Sequence, residues 1–418
     1  MLTYNNAYNQ ASSTDSVSTE SPRDTKGIDA SPVYDNSINQ AIVYAHHPYA
    51  NSSYNNNDEI CISIQQQDLC VLPSESFIYI QGKAFKINVG ITSTLKNYIS
   101  LDQSKKNAME IFGWKDGGYK SNHHTGDFSL CIPLNTVLGC AEDYKKIVTN
   151  ARHELIIIRS RTDKNCYKTG AAAEDMRLEI TKLQWRIPHV MPSDVVKLSL
   201  LRILEKNQPI QMCFRSWSLH EYPNLPKSKM QVWPIKIATQ LEKPRYVIFA
   251  LQRNWKENVK NHASYFDHCD LRNVKLFLNS DSYPYENRNV SRKNEQFALL
   301  YDMYAKFQNS YYGTVNRPIL DMQTYIKDAP IIVIDCSRQN ESIKSAPVDI
   351  RIEFKSETDI EDGMAAYCLI LHDRIVEYTP QTNVGFIGVR NKFVVKEVAF
   401  YENVAKTMSH DIFRDPYA

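Results

Sequence analysis

Val348-Asp349-Ile350-Arg351-Ile352-Glu353-Phe354 is the stretch on which the fold turns. Successive side chains of an extended strand point to opposite faces, so Val348, Ile350, Ile352 and Phe354 share one side and Asp349, Arg351 and Glu353 the other. A segment with one apolar and one charged face is half-buried, as in an antiparallel sheet that rests one face on a core. Working outward from it, further runs are short, β-branched or aromatic, and bounded by Asn, Asp, Pro and Gly. Strands are therefore predicted at 60–64, 77–80, 130–134, 155–158, 178–187, 210–219, 246–251, 274–278, 331–334 and 367–371.

Two segments carry helical spacing instead. After Pro192-Ser193-Asp194, where Ser193 can cap the first amide donors, Val196, Leu200, Ile203 and Leu204 fall on one face. In residues 294–308, Phe297, Leu300, Tyr301, Tyr304 and Phe307 recur at three- and four-residue steps. Many strands, two isolated helices and no βαβ rhythm exclude the doubly wound and barrel α/β classes. The chain has 418 residues, beyond the roughly 250–300 at which a single core stops growing. The expected fold is all-β, with two sandwiches; strand count and spacing alone leave jelly-roll and immunoglobulin-like sandwiches both open.

Residues 1–39 are rich in Ser, Asn, Thr, Asp and Gln, with too little apolar surface to offset ordering entropy, and are expected to be a mobile arm. The start lacks the basic-then-apolar profile of a secretory signal, and no run reaches the ~18–20 apolar residues of a membrane span. A protein that is not secreted is the expectation. The formal charge of +2 gives no global field toward nucleic acid or an anionic membrane. Nine cysteines form no CxxC pair or zinc-type grouping, and several sit inside apolar runs as buried reduced thiols. With 25 Tyr, 15 Phe and 5 Trp against 13 Gly, the composition suits sheets and wet interfaces rather than propellers or solenoids.

Nine segments, in order, carry a resemblance to a known family. They are residues 48–82 (PYANSSYNNNDEICISIQQQDLCVLPSESFIYIQG), 88–100 (NVGITSTLKNYIS), 134–160, 179–190 (EITKLQWRIPHV), 246–252 (YVIFALQ), 270–286 (DLRNVKLFLNSDSYPYE), 297–313, 331–354 and 366–378 (AYCLILHDRIVEY). From about Ile42 to about Tyr378 the chain resembles the double jelly-roll major capsid proteins of Polinton (Maverick) viruses and transposons and their domesticated insect-genome relatives. The resemblance implies two tandem jelly rolls of about eight strands each, trimeric pseudo-hexameric capsomers, and capsomers tiling an icosahedral shell. It places a first jelly roll at 40–190, a connecting helix at 191–207, a second jelly roll with an inserted helix at 208–380, and a divergent tail at 381–418. Only Lys83–Ile87 stand where relatives carry further strands, so an incomplete first jelly roll is expected, with unpaired edges.

Chemistry-bearing motifs are few. GxxxxGK[ST], GxGxxG and GxSxG are absent, which removes the usual phosphate-cradling and hydrolase scaffolds. A cupin-type metal site needs His residues one apart, whereas His46-His47 and His123-His124 are adjacent and would face opposite sides of a strand. Asp335, Cys336, Ser337 and His372 lie at strand ends, where polar caps are the plainer alternative to a nucleophile and base. No catalytic residue, metal, cofactor or small-molecule substrate is predicted.

Candidate contact residues are of two kinds. Tyr283, Tyr285, Tyr311 and Tyr312 flank the second helix and are either subunit-interface anchors or internal packing. Arg338 and Glu341, with Asp349 and Arg351, are either interchain ion pairs or a solvated sheet face. Arg152, Arg159, Arg161, Lys164 and Lys168 form a basic cluster that either makes weak non-specific DNA contact inside a shell or is a basic loop. Trp185, Trp217 and Trp233 are read as core. The function expected is structural: a self-assembling capsid subunit found in virions, with a penton or minor capsid protein as a further candidate partner. The alternatives are a domesticated, intracellular binding module that keeps the fold without forming shells, and an enzyme on a jelly-roll scaffold.

Overall fold

The computed structural model describes residues 37–49, 53–64, 69–83, 86–87, 90–106, 108–113, 119–120, 126–149, 153–163, 178–206, 210–235, 244–253, 264–286, 289–291, 294–339, 348–378 and 392–395. Apart from 37–39 and 392–395, the predicted arm at 1–39 and tail at 381–418 lie outside the described residues.

The N-terminal half runs β1 (Ile38–His46), β2 (Glu59–Ile64), β3 (Cys70–Val71), β4 (Phe77–Lys83), β5 (Lys86–Ile87), α1 (Ile91–Ser100), β6 (Tyr119–Lys120), β7 (Asp127–Pro133), α2 (Gly139–Asp143), β8 (Val148–Thr149), β9 (His153–Ile158) and β10 (Glu179–Pro192). Helix α3 (Asp194–Glu205) leads to β11 (Ile210–Tyr222), β12 (Met230–Ile235), β13 (Pro244–Arg253), β14 (Leu271–Leu278) and β15 (Asp281–Tyr283). Then come α4 (Ala298–Tyr312), α5 (Met322–Asp328), β16 (Ile332–Asp335), β17 (Ile350–Ser356), β18 (Met364–Tyr378) and β19 (Lys392–Val395).

A pair of four-stranded sheets, β11-β18-β13-β16 and β12-β17-β14-β15, makes an eight-stranded sandwich in the C-terminal half. The alternation in β17 becomes its burial: Ile350, Ile352 and Phe354 are inside, Arg351 is outside, and the strand lies between β12 and β14. Phe354 meets Phe249 of β13 across the core at a ring separation of 5.0 Å. Strands β13 and β18 read as continuous apolar runs because both of their faces are covered. Helix α4 packs on the outer side, with Phe307 and Tyr311 edge-on to Tyr246 at 5.0 and 5.5 Å. Each fully buried Val, Leu, Ile or Phe side chain there contributes about 1.5–3 kcal/mol relative to exposure.

The larger sheet of the N-terminal half follows the order β7-β4-β10-β3-β8, with β1 added on β10, and a smaller one follows β19-β9-β2. Only β2 and β9 of the smaller sheet are local. Its third strand, β19, arrives from beyond the C-terminal sandwich and pairs in parallel with β9, from Lys392 against Glu154 to Val395 against Ile157. All other pairings among the described residues are antiparallel. After Gly82, β4 continues to Lys83, and β5 pairs with β6 as a two-stranded ribbon. At Gly82 itself a Cβ would run into the Glu179 carbonyl oxygen and the Phe128 ring, so only glycine lets β4, β10 and β7 close up there.

The helices exceed the two that spacing predicts. Helix α1 buries Ile91, Leu95, Tyr98 and Ile99 on one side, at three- and four-residue steps that the apolar-run reading passes over. Helix α3 occupies the predicted connector and buries Val196, but leaves Val195, Leu198 and Leu201 exposed. Helix α4 buries Leu300, Tyr304, Phe307 and Tyr311 and stops at Gly313, whose φ of +69° suits a left-handed C-terminal cap. Among the described residues no helix is long and apolar enough to cross a membrane.

Candidate functional site

The two halves of the chain meet where α1 and α2 of the first approach β11 and α4 of the second. Helix α2 comes so close to β11 that a Cβ at Gly139 would collide with the Arg215 carbonyl. That approach brings Glu142 and Asp143, adjacent in sequence, against two cations from different elements. Lys96 of α1, 2% exposed, donates to Glu142 Oε1 at 2.9 Å and to the Tyr312 hydroxyl at 2.7 Å. Its ammonium also lies 4.8 Å from the Trp217 ring centre. The Tyr312 hydroxyl donates to the same Glu142 oxygen at 2.6 Å.

Arg215 of β11 grips Asp143 with both arms, Nε to Oδ2 at 2.9 Å and Nη2 to Oδ1 at 2.6 Å, while its backbone N–H donates to Oδ2 at 2.7 Å. Its Nη1 donates to the Tyr311 carbonyl at 2.7 Å, and its guanidinium lies 3.7 Å from the Tyr311 ring centre. Burial disfavours the Arg215 charge, but the Asp143 hydrogen bonds overcome that and hold the guanidinium above its ordinary range. Burial pushes the Tyr311 and Tyr312 phenols up, with Glu142 adding to the shift, so both stay protonated. Further bonds run the same way: Tyr304 Oη to the Tyr98 carbonyl at 2.9 Å and Gln308 Nε2 to the Leu101 carbonyl at 2.6 Å. These bonds cross between the two halves, so turning one half against the other would strip partners from Lys96, which is buried, and from Arg215, which is partly buried.

The candidate contact residues separate accordingly. Tyr311 and Tyr312 turn inward at the junction, and Tyr283 is half-buried on β15, while Tyr285 stands 86% exposed. Arg338 is exposed and Glu341 lies outside the described residues. Arg351 pairs with Glu353 on its own strand at 3.2 Å and stacks on Phe277 at 4.5 Å. In the basic cluster Arg159 is internal: it binds Asp163 at 3.0 Å, with both side chains 8% exposed, and donates to the carbonyls of Tyr54 and Leu178. Arg161 is exposed, and Arg152, Lys164 and Lys168 lie outside the described residues. Trp185 and Trp233 are buried, and Trp217 is half-buried beneath Lys96.

The strand-end nucleophile and base are not brought together. Cys336 is 1% exposed, and burial pushes its thiol up to about 12. His372, on β18, faces Ser218 at 3.4 Å, and β13 separates β16 from β18. His46 and His47 do face opposite sides, toward His189 and Gln184, each at 3.1 Å. His123 and His124 lie outside the described residues. A histidine group that the sequence reading misses joins β1, β10 and β9. Tyr44 stacks on His189 at 4.4 Å beside His46, and His153 is held down to about 4 by burial and by His189. Among the described residues no three His, Cys, Asp or Glu side chains are grouped to hold a metal ion.

Comparison with known proteins accords with this architecture. A chain of the Sputnik virophage cryo-EM structure superposes with a TM-score of 0.51 at 8% identity, over 96% of this chain and 98% of that one. The mavirus major capsid protein gives 0.48 at 9% identity, over 89% and 95%, and a chain of the PBCV-1 virus capsid 0.49 at 9% identity, over 83% and 97%. No curated protein sequence matches. The family described as double jelly roll-like domain matches residues 81–376, most of the chain and both sheet systems, and the chain therefore belongs to the double jelly roll-like domain family.

Proposed function

We propose that the chain is a non-enzymatic, capsid-type structural subunit of the Polinton kind, which self-associates into trimeric capsomers and, through them, into a shell. What supports this reading above all is the double jelly-roll fold itself, matched by its family over residues 81–376 and similar along nearly its whole length to a virophage chain. The inter-sheet junction adds a physical reason. A subunit that works by shape needs its two sandwiches held together, and the Lys96–Glu142 and Arg215–Asp143 pairs link the two halves.

In this proposal residues 40–190 and 208–380 are the two jelly rolls and 191–207 the connector. Tyr285 and Arg338, exposed on the second, contribute subunit contacts, and Arg161 faces packaged DNA. A penton or minor capsid protein completes the shell, and the assembled chain is found in virions. Light scattering after size exclusion, over a range of protein and salt concentrations, tests the reading. A stable three-chain species that goes on to form shells in electron micrographs is expected. A folded monomer at every concentration would sink the proposal and leave a binding module that keeps the fold.

A further inference from the structure

Strand β1 lies at the edge of the larger N-terminal sheet. It pairs along one edge with β10, from Ile38 against Pro192 to His46 against Trp185, and among the described residues nothing pairs with its other edge. Seven consecutive residues, Asn39–Ala45, are exposed, although the Tyr44 ring stacks on His189. Ile42, Val43 and Tyr44 are 39%, 52% and 47% exposed.

Edge strands are normally blunted by charge, by proline or by a covering loop. From Ser37 to Tyr49 there is no Asp, Glu, Lys or Arg, and the one proline, Pro48, falls after the strand. The contrast with β12, another strand with exposed apolar residues at a sheet edge, is direct: β12 carries Pro234, which has no N–H to offer a neighbour. The bare surface also continues past β1. Met191 is 59% exposed, the Ser193 N–H holds the Ser37 carbonyl at 2.9 Å, and α3 then presents Val195, Leu198 and Leu201 at 78%, 58% and 45% exposure.

We propose that the open edge of β1 is a contact between two copies of this chain, paired antiparallel about Ile42 by a two-fold axis. The inference rests on the capsid reading and assigns this edge to neighbouring capsomers rather than to the trimer. A strand meeting its own copy in a closed contact must run antiparallel, since only then does each copy offer the same surface to the other. Like charges at paired positions of two identical strands repel, and this strand has no Asp, Glu, Lys or Arg. The geometry also gives α3 a place. With Ile42 at the centre, Ser37 of one copy stands opposite His47 of the other, so the start of α3, tied to Ser37 through Ser193, is brought toward the His47–Tyr49 end of its neighbour.

A photo-crosslinking phenylalanine analogue at position 43, in the full-length chain under assembling conditions, tests the contact. Links between two chains centred on Ala41 are expected, because 43 lies opposite 41 in that register. Links from 43 to residues 1–36 of the same chain, or none between copies, would overturn it. In parallel, Val43→Lys should raise the protein concentration needed for assembly beyond the trimer at least tenfold while trimers persist. Val43→Thr and, on β12, Val232→Lys should assemble as the unaltered chain does. Trimers with unimpaired higher assembly in Val43→Lys would refute the β1 contact and leave the capsid reading standing. Failure of the unaltered chain to form trimers would instead count against that reading.

Discussion

Replacing Lys96 by methionine keeps the aliphatic volume in the junction and removes the charge with the two hydrogen bonds it donates. Glu142, whose side chain is 16% exposed, would keep the Tyr312 hydroxyl at 2.6 Å but lose the cation at 2.9 Å. Its Oε2 already has no hydrogen-bond partner, and the Arg215 guanidinium, which also feels the Glu142 charge, is committed to Asp143. Removing one partner of a buried pair costs about 3–5 kcal/mol, because an uncompensated charge stays behind. Over 418 residues, an unfolding entropy of about 2.1 cal/mol/K per residue turns each kcal/mol into roughly one degree of Tm. Lys96→Met should thus lower Tm by about 3–6 °C and shift the urea midpoint without changing the slope. The double variant Lys96→Met/Glu142→Leu should regain most of that loss, since apolar groups can replace a buried pair at little net cost. Calorimetry and urea titration of the three proteins decide the matter. A single variant within about 0.5 kcal/mol of the parent, or a double variant no better than the single, would refute the reasoning that Glu142 depends on the Lys96 charge.

Three further outcomes are expected. His153, held near 4 inside the fold against 6.5 when unfolded, takes up its proton more readily in the unfolded chain. Its own contribution to stability is complete above pH 6.5 and falls by roughly 3 kcal/mol as pH drops toward 4, so His153→Gln should make the slope of urea midpoints across that range shallower, while His46, His189, His220 and His372, also held below their ordinary value, keep part of it. Gly139→Ala, which drives a methyl group into the Arg215 carbonyl, should destabilise by about 1–3 kcal/mol or more, whereas Arg161→Ala, altering an exposed side chain, should stay within about 0.5 kcal/mol; denaturant titrations separate the two. Among the described cysteines, Cys213, the exposed one, should react first with a thiol reagent, and Cys336 and Cys368, buried with raised thiols, only on unfolding; mass mapping of the labelled sites checks the order.

The sandwich cores are legible in the sequence because their signal is local. Alternation in 348–354 and the unbroken apolar runs of β13 and β18 state on their own which faces are covered. The junction is not legible, because its members lie far apart: Lys96 is separated by 46 residues from Glu142 and by 216 from Tyr312. A lysine in the polar run TSTLKN gives no hint of burial until its partners arrive. The same blindness puts Tyr311 and Tyr312 beside Tyr285 as equal candidates, though two of the three face a buried cation. Arg159 looks like one of a basic group because its partner Asp163 lies four residues on, a spacing that an extended segment does not bring together by itself. What marks β1, by contrast, is visible in the letters as thirteen residues without a formal charge, but its meaning depends on knowing that one edge is open.

The parallel pairing of β19 with β9 binds the making of the protein to its last stretch. While the chain is being synthesised, β2 and β9 can pair as soon as Ile158 has emerged, but the other edge of β9 must wait for Lys392. At the usual pace of translation that wait is on the order of 10–50 s. Throughout it the N-terminal sheet offers a ready template to any passing strand. That edge of β9 is therefore closed last, and only by a chain synthesised as far as Val395.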